Sequence, residues 1–193
     1  MPKRKAVEST SEKKRTTHNQ DPNSWREVLY FWHGTLSTDE SSGETIWEGT
    51  WIASEDGLPS PAEFDTSENT FRLTSSAFYV RDGVPLEARC PFGRSGHFAG
   101  YFLLDGKDCS DIEHRLVFKD QLVAARGTAF FGEFISAGRL VFPQGSASAY
   151  LTLARRYLTE DDLRVKLTAW AALLQIEENM ERRDSPWNHL LGG

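Results

Sequence analysis

The chain has 193 residues, 39% hydrophobic and 12% aromatic, enough to bury a sizeable core and favouring a single domain with tails. Its formal net charge of -6 is uneven, because residues 1 to 20 hold six basic and two acidic side chains, leaving 16 basic and 26 acidic on the rest. A body this acidic repels phosphate backbones and excludes the folded part as a nucleic-acid binder, while two cysteines without paired spacing exclude a disulfide framework and a zinc site.

No apolar run approaches the roughly 18 residues of a membrane-spanning helix, and no apolar leader stretch is visible near the start. The expectation is an intracellular protein, nuclear or cytoplasmic. Residues 1–23 are polar and read as a disordered basic tail. Its two clusters, Lys3-Arg4-Lys5 and Lys13-Lys14-Arg15, fit a nuclear-import signal and a solubilising tail equally well.

From residue 24 the pattern alternates with period two. Residues 25–38 put Val28, Tyr30 and Trp32 on one side and Leu29 and Phe31 on the other. A turn at Asp39-Glu40-Ser41-Ser42-Gly43 leads into 44–54, where Trp47, Gly49, Trp51 and Ala53 share a face. A loop with Gly57, Pro59 and Pro61 precedes a third strand over 70–80, with Phe71, Leu73, Ser75, Ala77 and Tyr79 on one side. A long loop holding Gly83, Pro85, Pro91 and Gly93 follows. Further strands are predicted over 96–105, 112–119, 122–130, 132–142 and 147–158, with Asp105, Asp108 and Asp111 in an acidic turn.

Short turns and no crossover helices argue an antiparallel meander. The fold class is all-β: an antiparallel up-and-down barrel of about eight strands over 24–158, with a two-layer sandwich as the alternative. A C-terminal amphipathic helix is expected over 159–184, and 185–193 as a tail. Leu163, Leu167, Trp170 and Leu174 recur at helical spacing, Thr159 is a natural N-cap, Arg182 and Arg183 suit the far pole, and Pro186 stops it.

The last strand carries the sharpest question. Arg155 and Tyr157 share a face with Leu151 and Leu153. A guanidinium on an apolar face is costly unless an anion meets it. Arg155 and Tyr157, about 7 Å apart at Cα, could grip one anionic group. Equally, Arg155 could close an internal salt bridge, with Glu48 and Glu133 as candidates, or the strand could be inverted with Ala154 inward. Arg139 is a second candidate on its own strand, and Arg126 a weaker one. His97 and His114 fall on neighbouring strands and read as surface or satisfied histidines; two histidines without a third ligand make no zinc site.

The segments Trp32-His33-Gly34-Thr35, Trp47-Glu48-Gly49-Thr50-Trp51 and Gly96-His97-Phe98-Ala99-Gly100-Tyr101-Phe102 resemble those of calycin-type barrels, the lipocalin and fatty-acid-binding superfamily. Arg155-Arg156-Tyr157 is similar to the arginine-any-tyrosine pair with which fatty-acid-binding proteins hold a carboxylate. The resemblance covers 25–158 as a pattern. It implies an interior that takes a small hydrophobic or anionic amphipathic ligand, with Arg155 and Tyr157 at the head and Phe71, Leu73, Tyr101, Leu103 and Leu151 along the tail.

No nucleophile elbow, phosphate loop or metal-binding helix is present, and no cofactor is expected. The leading expectation is therefore a non-catalytic binding module for a small ligand or a protein partner. Two alternatives stand beside it: a cofactor-free isomerase or cyclase shaping a hydrophobic substrate, and a filled-barrel scaffold.

Overall fold

The computed structural model describes residues 28–179 except 40, 56, 76–94 and 147. The basic tail, Ala77, Tyr79, the Gly83–Gly93 loop, Arg182, Arg183 and Pro186 lie outside the described residues.

Eight strands close into a barrel in sequence order. They are β1 (Leu29–Thr38), β2 (Thr45–Ser54), β3 (Thr70–Ser75), β4 (Ser95–Leu104), β5 (Lys107–Lys119), β6 (Leu122–Ala129), β7 (Gly132–Val141) and β8 (Ala149–Tyr157). Every neighbouring pair is antiparallel, and β1 pairs with β8 to complete the ring. Closure leaves no free sheet edge, so the chain is a barrel and not a sandwich.

The acidic turn is shorter than expected. β4 and β5 run on to a two-residue hairpin at Asp105-Gly106, both with positive φ, so Asp108 belongs to a strand. Such a turn matches the twist of the flanking strands, and aspartate followed by glycine accepts that backbone. A register shift between Gly100 and Phe102 absorbs the extra length.

Alternation sends one side of every strand into the interior, and the other side of β1 and β5–β8 into a second core. The interior gathers Trp32, Trp47, Trp51, Phe71, Leu73, Phe98, Phe102, Leu116, Phe134, Leu151, Leu153 and Tyr157. The registers explain this convergence: Trp32 faces Trp51 across β1–β2, with Gly34 opposite Gly49 one step further. A Cβ on Gly34 would stand 2.0 Å from the Glu48 carbonyl oxygen, so these two strands approach as only glycine allows.

The second core lies outside the wall. A short helix α1 (Pro61–Thr66), where a loop was expected, lays Phe64 against the outer face. It starts from a capping box: Ser60 N–H and Oγ both donate to the Glu63 carboxylate, at 2.8 and 2.7 Å.

The C-terminal helix is present but shorter and turned. Residues Leu163–Lys166 form a 3-10 turn, and α2 (Ala169–Asn179) begins with the Thr168 hydroxyl accepting from Ala171 N–H. The expected face is corrected. Leu163 is 81% exposed, and Trp170 and Leu174 also face out, whereas Ala169, Ala172, Leu173 and Ile176 are buried. These last four have spacing i, i+3, i+4 and i+7. They pack on the outer face of β5, β6 and β7, in one cluster with Val117, Ala124, Ile135 and Ala137. Lys119 Nζ, 2.5 Å from the Glu177 carboxylate, pins the helix to the end of β5.

Candidate functional site

Arg155 is 1% exposed and points into the barrel. Alternation puts it there: β8 sends Ala149, Leu151, Leu153, Arg155 and Tyr157 inward, opposite Tyr30, Trp32, Gly34 and Leu36 of β1. The inverted strand is thereby excluded. Ala154 is buried too, but on the outer face, in the second core.

Two aromatic rings flank the guanidinium. Its central carbon lies 3.8 Å from the Trp32 ring centroid and 4.0 Å from that of Phe134. Desolvated cation–π contacts are worth about 2 kcal/mol each, which offsets part of the several kcal/mol that burying a charge costs. In the plane, Nη2 bonds His114 Nε2 at 2.6 Å, and Nη1 donates to the Tyr157 hydroxyl at 3.4 Å. Burial draws Arg155 down from its usual range, and the neighbouring Tyr157 pulls the other way. A guanidinium stays charged through such a shift.

Neither expected carboxylate reaches it. Glu48 pairs with Arg72, and Glu133 with Arg126 at 2.6 Å, both pairs on the outer face. The internal salt bridge is thus corrected: alternation turns both acids outward. Arg126 also donates to the Leu167 carbonyl, tying the approach to α2 to the wall.

His114 was missed as a site residue. It is fully buried, beside Phe134 at 4.7 Å between ring centroids, with Trp32 and Trp47 near 6 Å. It shares the inward side of β5 with Leu116 and Phe118, a period-two signal that could have placed it. It does not face His97: the register sets His114 opposite Phe98, and His97 is outside near Glu113. Burial foremost, then the Arg155 charge and His97, hold the imidazole well below its ordinary range, so it is neutral. Because arginine can only donate, Nε2 accepts and the ring proton sits on Nδ1.

Five buried polar atoms have no hydrogen-bond partner among the described residues: Arg155 Nε, His114 Nδ1, Trp32 Nε1, Trp47 Nε1 and Ser136 Oγ. Ser136 is the cross-strand neighbour of Arg155. Four of the five are N–H donors and the fifth is a hydroxyl, so what the interior leaves unspent is donor capacity beside a positive charge.

The remaining expected residues divide. Phe71, Leu73 and Leu151 are buried in the interior with Tyr157. Phe71 lies 4.7 Å from both Trp32 and Trp47 between ring centroids. Tyr101 and Arg139 are exposed on the outer face, and Leu103 is half-buried, its carbonyl accepting from Trp51 Nε1 at 3.0 Å. Arg155, Tyr157, Phe71 and Leu151 thus share the interior, and Arg139 and Tyr101 do not join them.

Among the described residues no cluster of three or more histidine, cysteine, aspartate or glutamate side chains is placed to hold a metal ion, and no helix is long and apolar enough to cross a membrane. No family model, curated protein or solved structure matches the chain.

Proposed function

We propose that this protein is a non-catalytic binding barrel that takes a small amphipathic anion into its aromatic interior. Arg155 meets the negative head, and Trp32, Trp47, Phe71 and Phe134 surround the apolar part. The observation that carries this reading is the buried Arg155 charge with no carboxylate beside it among the described residues, in a cluster whose unspent groups are donors. Each such buried group left unsatisfied costs about 1–3 kcal/mol, and an anion with two or more acceptor oxygens would satisfy several at once. The up-and-down strand order supports the calycin-type resemblance, in which a ligand head is held from the last strand.

The test is fluorescence titration with 8-anilinonaphthalene-1-sulfonate, an anionic aromatic probe. Wild-type protein is expected to bind it and to show quenching of buried tryptophan emission; Arg155→Leu, folded by near-UV circular dichroism, is expected to bind at least tenfold more weakly. Equal binding by both proteins overturns the reading.

A second reading is the filled-barrel scaffold. The observation favouring it is the close mutual packing of Trp32, Trp47, Phe71 and Phe134 around Arg155 and His114. In that case the interior stays dry and closed, and the probe fails to bind wild-type protein.

A further inference from the structure

The Arg155–His114 pair has a property beyond simple anion attraction. The two side chains are completely buried, 2.6 Å apart, and one of them can change charge. We propose that the barrel takes up its anion together with one proton, carried by His114, so that the ligand enters as the equivalent of a neutral acid. The inference rests on the anion-binding reading above.

The groups around His114 make the coupling direct. From β8 it faces Arg155, with Tyr157 next to that guanidinium, and Tyr30 of β1 packs on Tyr157 at 5.4 Å between ring centroids. From β1, β2 and β7 it meets Trp32, Trp47 and Phe134, which carry no charge. From β4 and β6 it is paired with Phe98 and Gly127, and His97 repels a proton from the outer face. On β5 itself, Glu113 and Arg115 point out to solvent. Among the described residues Arg155 is therefore the one formal charge inside the barrel that His114 faces.

With no anion beside them, protonating His114 would set an imidazolium against the guanidinium with both groups donors, so the ring stays neutral. An anion oxygen seated between them would accept from both and offset the repulsion. The balance is simple: one anion and one proton enter, Nε2 gains the proton, its bond from Arg155 is exchanged for bonds to the anion, and the interior gains no net charge. Linkage makes the effect reciprocal. If the anion favours protonated His114, acid must tighten anion binding, by at most about tenfold per pH unit for one proton.

The sulfonate probe suits the test, because it remains anionic throughout and any pH dependence belongs to the protein. Its affinity for the full chain would be measured from pH 8 to pH 5.5, with near-UV circular dichroism confirming native packing at each point. The expected result is at least a tenfold gain toward pH 5.5 for wild type and a flat profile for His114→Gln, which keeps a donor and an acceptor but does not titrate. Calorimetry in two buffers of different ionisation enthalpy gives the proton count on wild type alone and is expected to approach one proton per probe at the acid end. A flat wild-type profile with Arg155-dependent binding, or no proton uptake, overturns this inference and leaves the anion site standing. Probe binding that is absent, or indifferent to Arg155→Leu, overturns both.

Discussion

The Arg155 guanidinium lies between the rings of Trp32 and Phe134, at 3.8 and 4.0 Å. Its two faces are thus capped by aromatic carbon, and only its edge is open to hydrogen bonding. That edge meets a neutral imidazole and a phenol rather than a carboxylate. The arrangement holds a cation without neutralising it, which supports the anion site proposed above.

Stability and binding should therefore separate at this position. Arg155→Met fills much of the same volume without a charge, and replacing buried ionic groups by apolar ones is often neutral or stabilising by about 1–4 kcal/mol. The expected outcome is a urea midpoint unchanged or raised, with anionic-probe affinity reduced at least tenfold. A large loss of stability would show that the guanidinium serves the fold.

His114 sets an acid limit on the fold. Its imidazole is held low by burial first, and by Arg155 and His97 after that, while in the unfolded chain it titrates near 6.5. Between those two values the unfolded chain binds the extra proton. Its contribution is thus complete above about pH 6.5 and is lost as pH falls, at up to about 1.4 kcal/mol per pH unit. His33, also lowered by burial and partly raised back by Asp65, adds in the same direction. Urea denaturation between pH 7.5 and 5 should show this slope, and His114→Gln should remove most of it.

Gly127 holds open the space that Phe134 uses. A Cβ there would stand 1.8 Å from the Glu113 carbonyl oxygen and 2.5 Å from Phe134 Cζ. The oxygen belongs to the backbone and cannot swing away, so Gly127→Ala must deform the β5–β6 pairing as well as displace the ring. Overpacking of this kind costs about 1–3 kcal/mol. Chemical denaturation should report that loss, and probe binding should weaken along with it because Phe134 caps Arg155.

The orientation of α2 gives a paired test. Leu173 is buried against the wall and the adjacent Leu174 is 49% exposed. Leu173→Ala should cost about 2–5 kcal/mol, and Leu174→Ala no more than about 0.5 kcal/mol. Thermal and urea unfolding of the two variants would distinguish this face from its opposite.

Strand number and order were legible because most strands alternate at period two with large residues on the inward side, as in Tyr30-Phe31-Trp32 and Phe71-Arg72-Leu73; β6, whose inward side is Val123, Ala125, Gly127 and Ala129, was placed by its apolar run and flanking turns. The helix was legible in kind but not in face. Leu163 and Leu167 fit the spacing of Trp170 and Leu174, yet they lie on a separate 3-10 turn and its end, so the four never formed one stripe. The true face opens on two alanines, which let the helix sit close to the sheet but score weakly as hydrophobes. A further clue lay in Leu116-Val117-Phe118 and Val123-Ala124-Ala125, whose unbroken apolar runs mark wall buried on both sides. At the site, Arg155 and Tyr157 could be read from one strand. Their meeting with His114 could not, because it depends on the closed ring placing β5 and β8 side chains across the interior.

β1 and β8 form the seam of that ring, and Tyr30 sits opposite Arg155 on it. The chain must travel from residue 30 to residue 155 before these two meet, the most distant strand pairing among the described residues. The cluster around Arg155 is therefore complete only when the ring is shut, with Trp32 supplied from one lip of the seam and the guanidinium from the other. The anion proposed above, gripping both, would act as a clasp that holds together β1 and β8 and opposes the opening of the barrel at that seam.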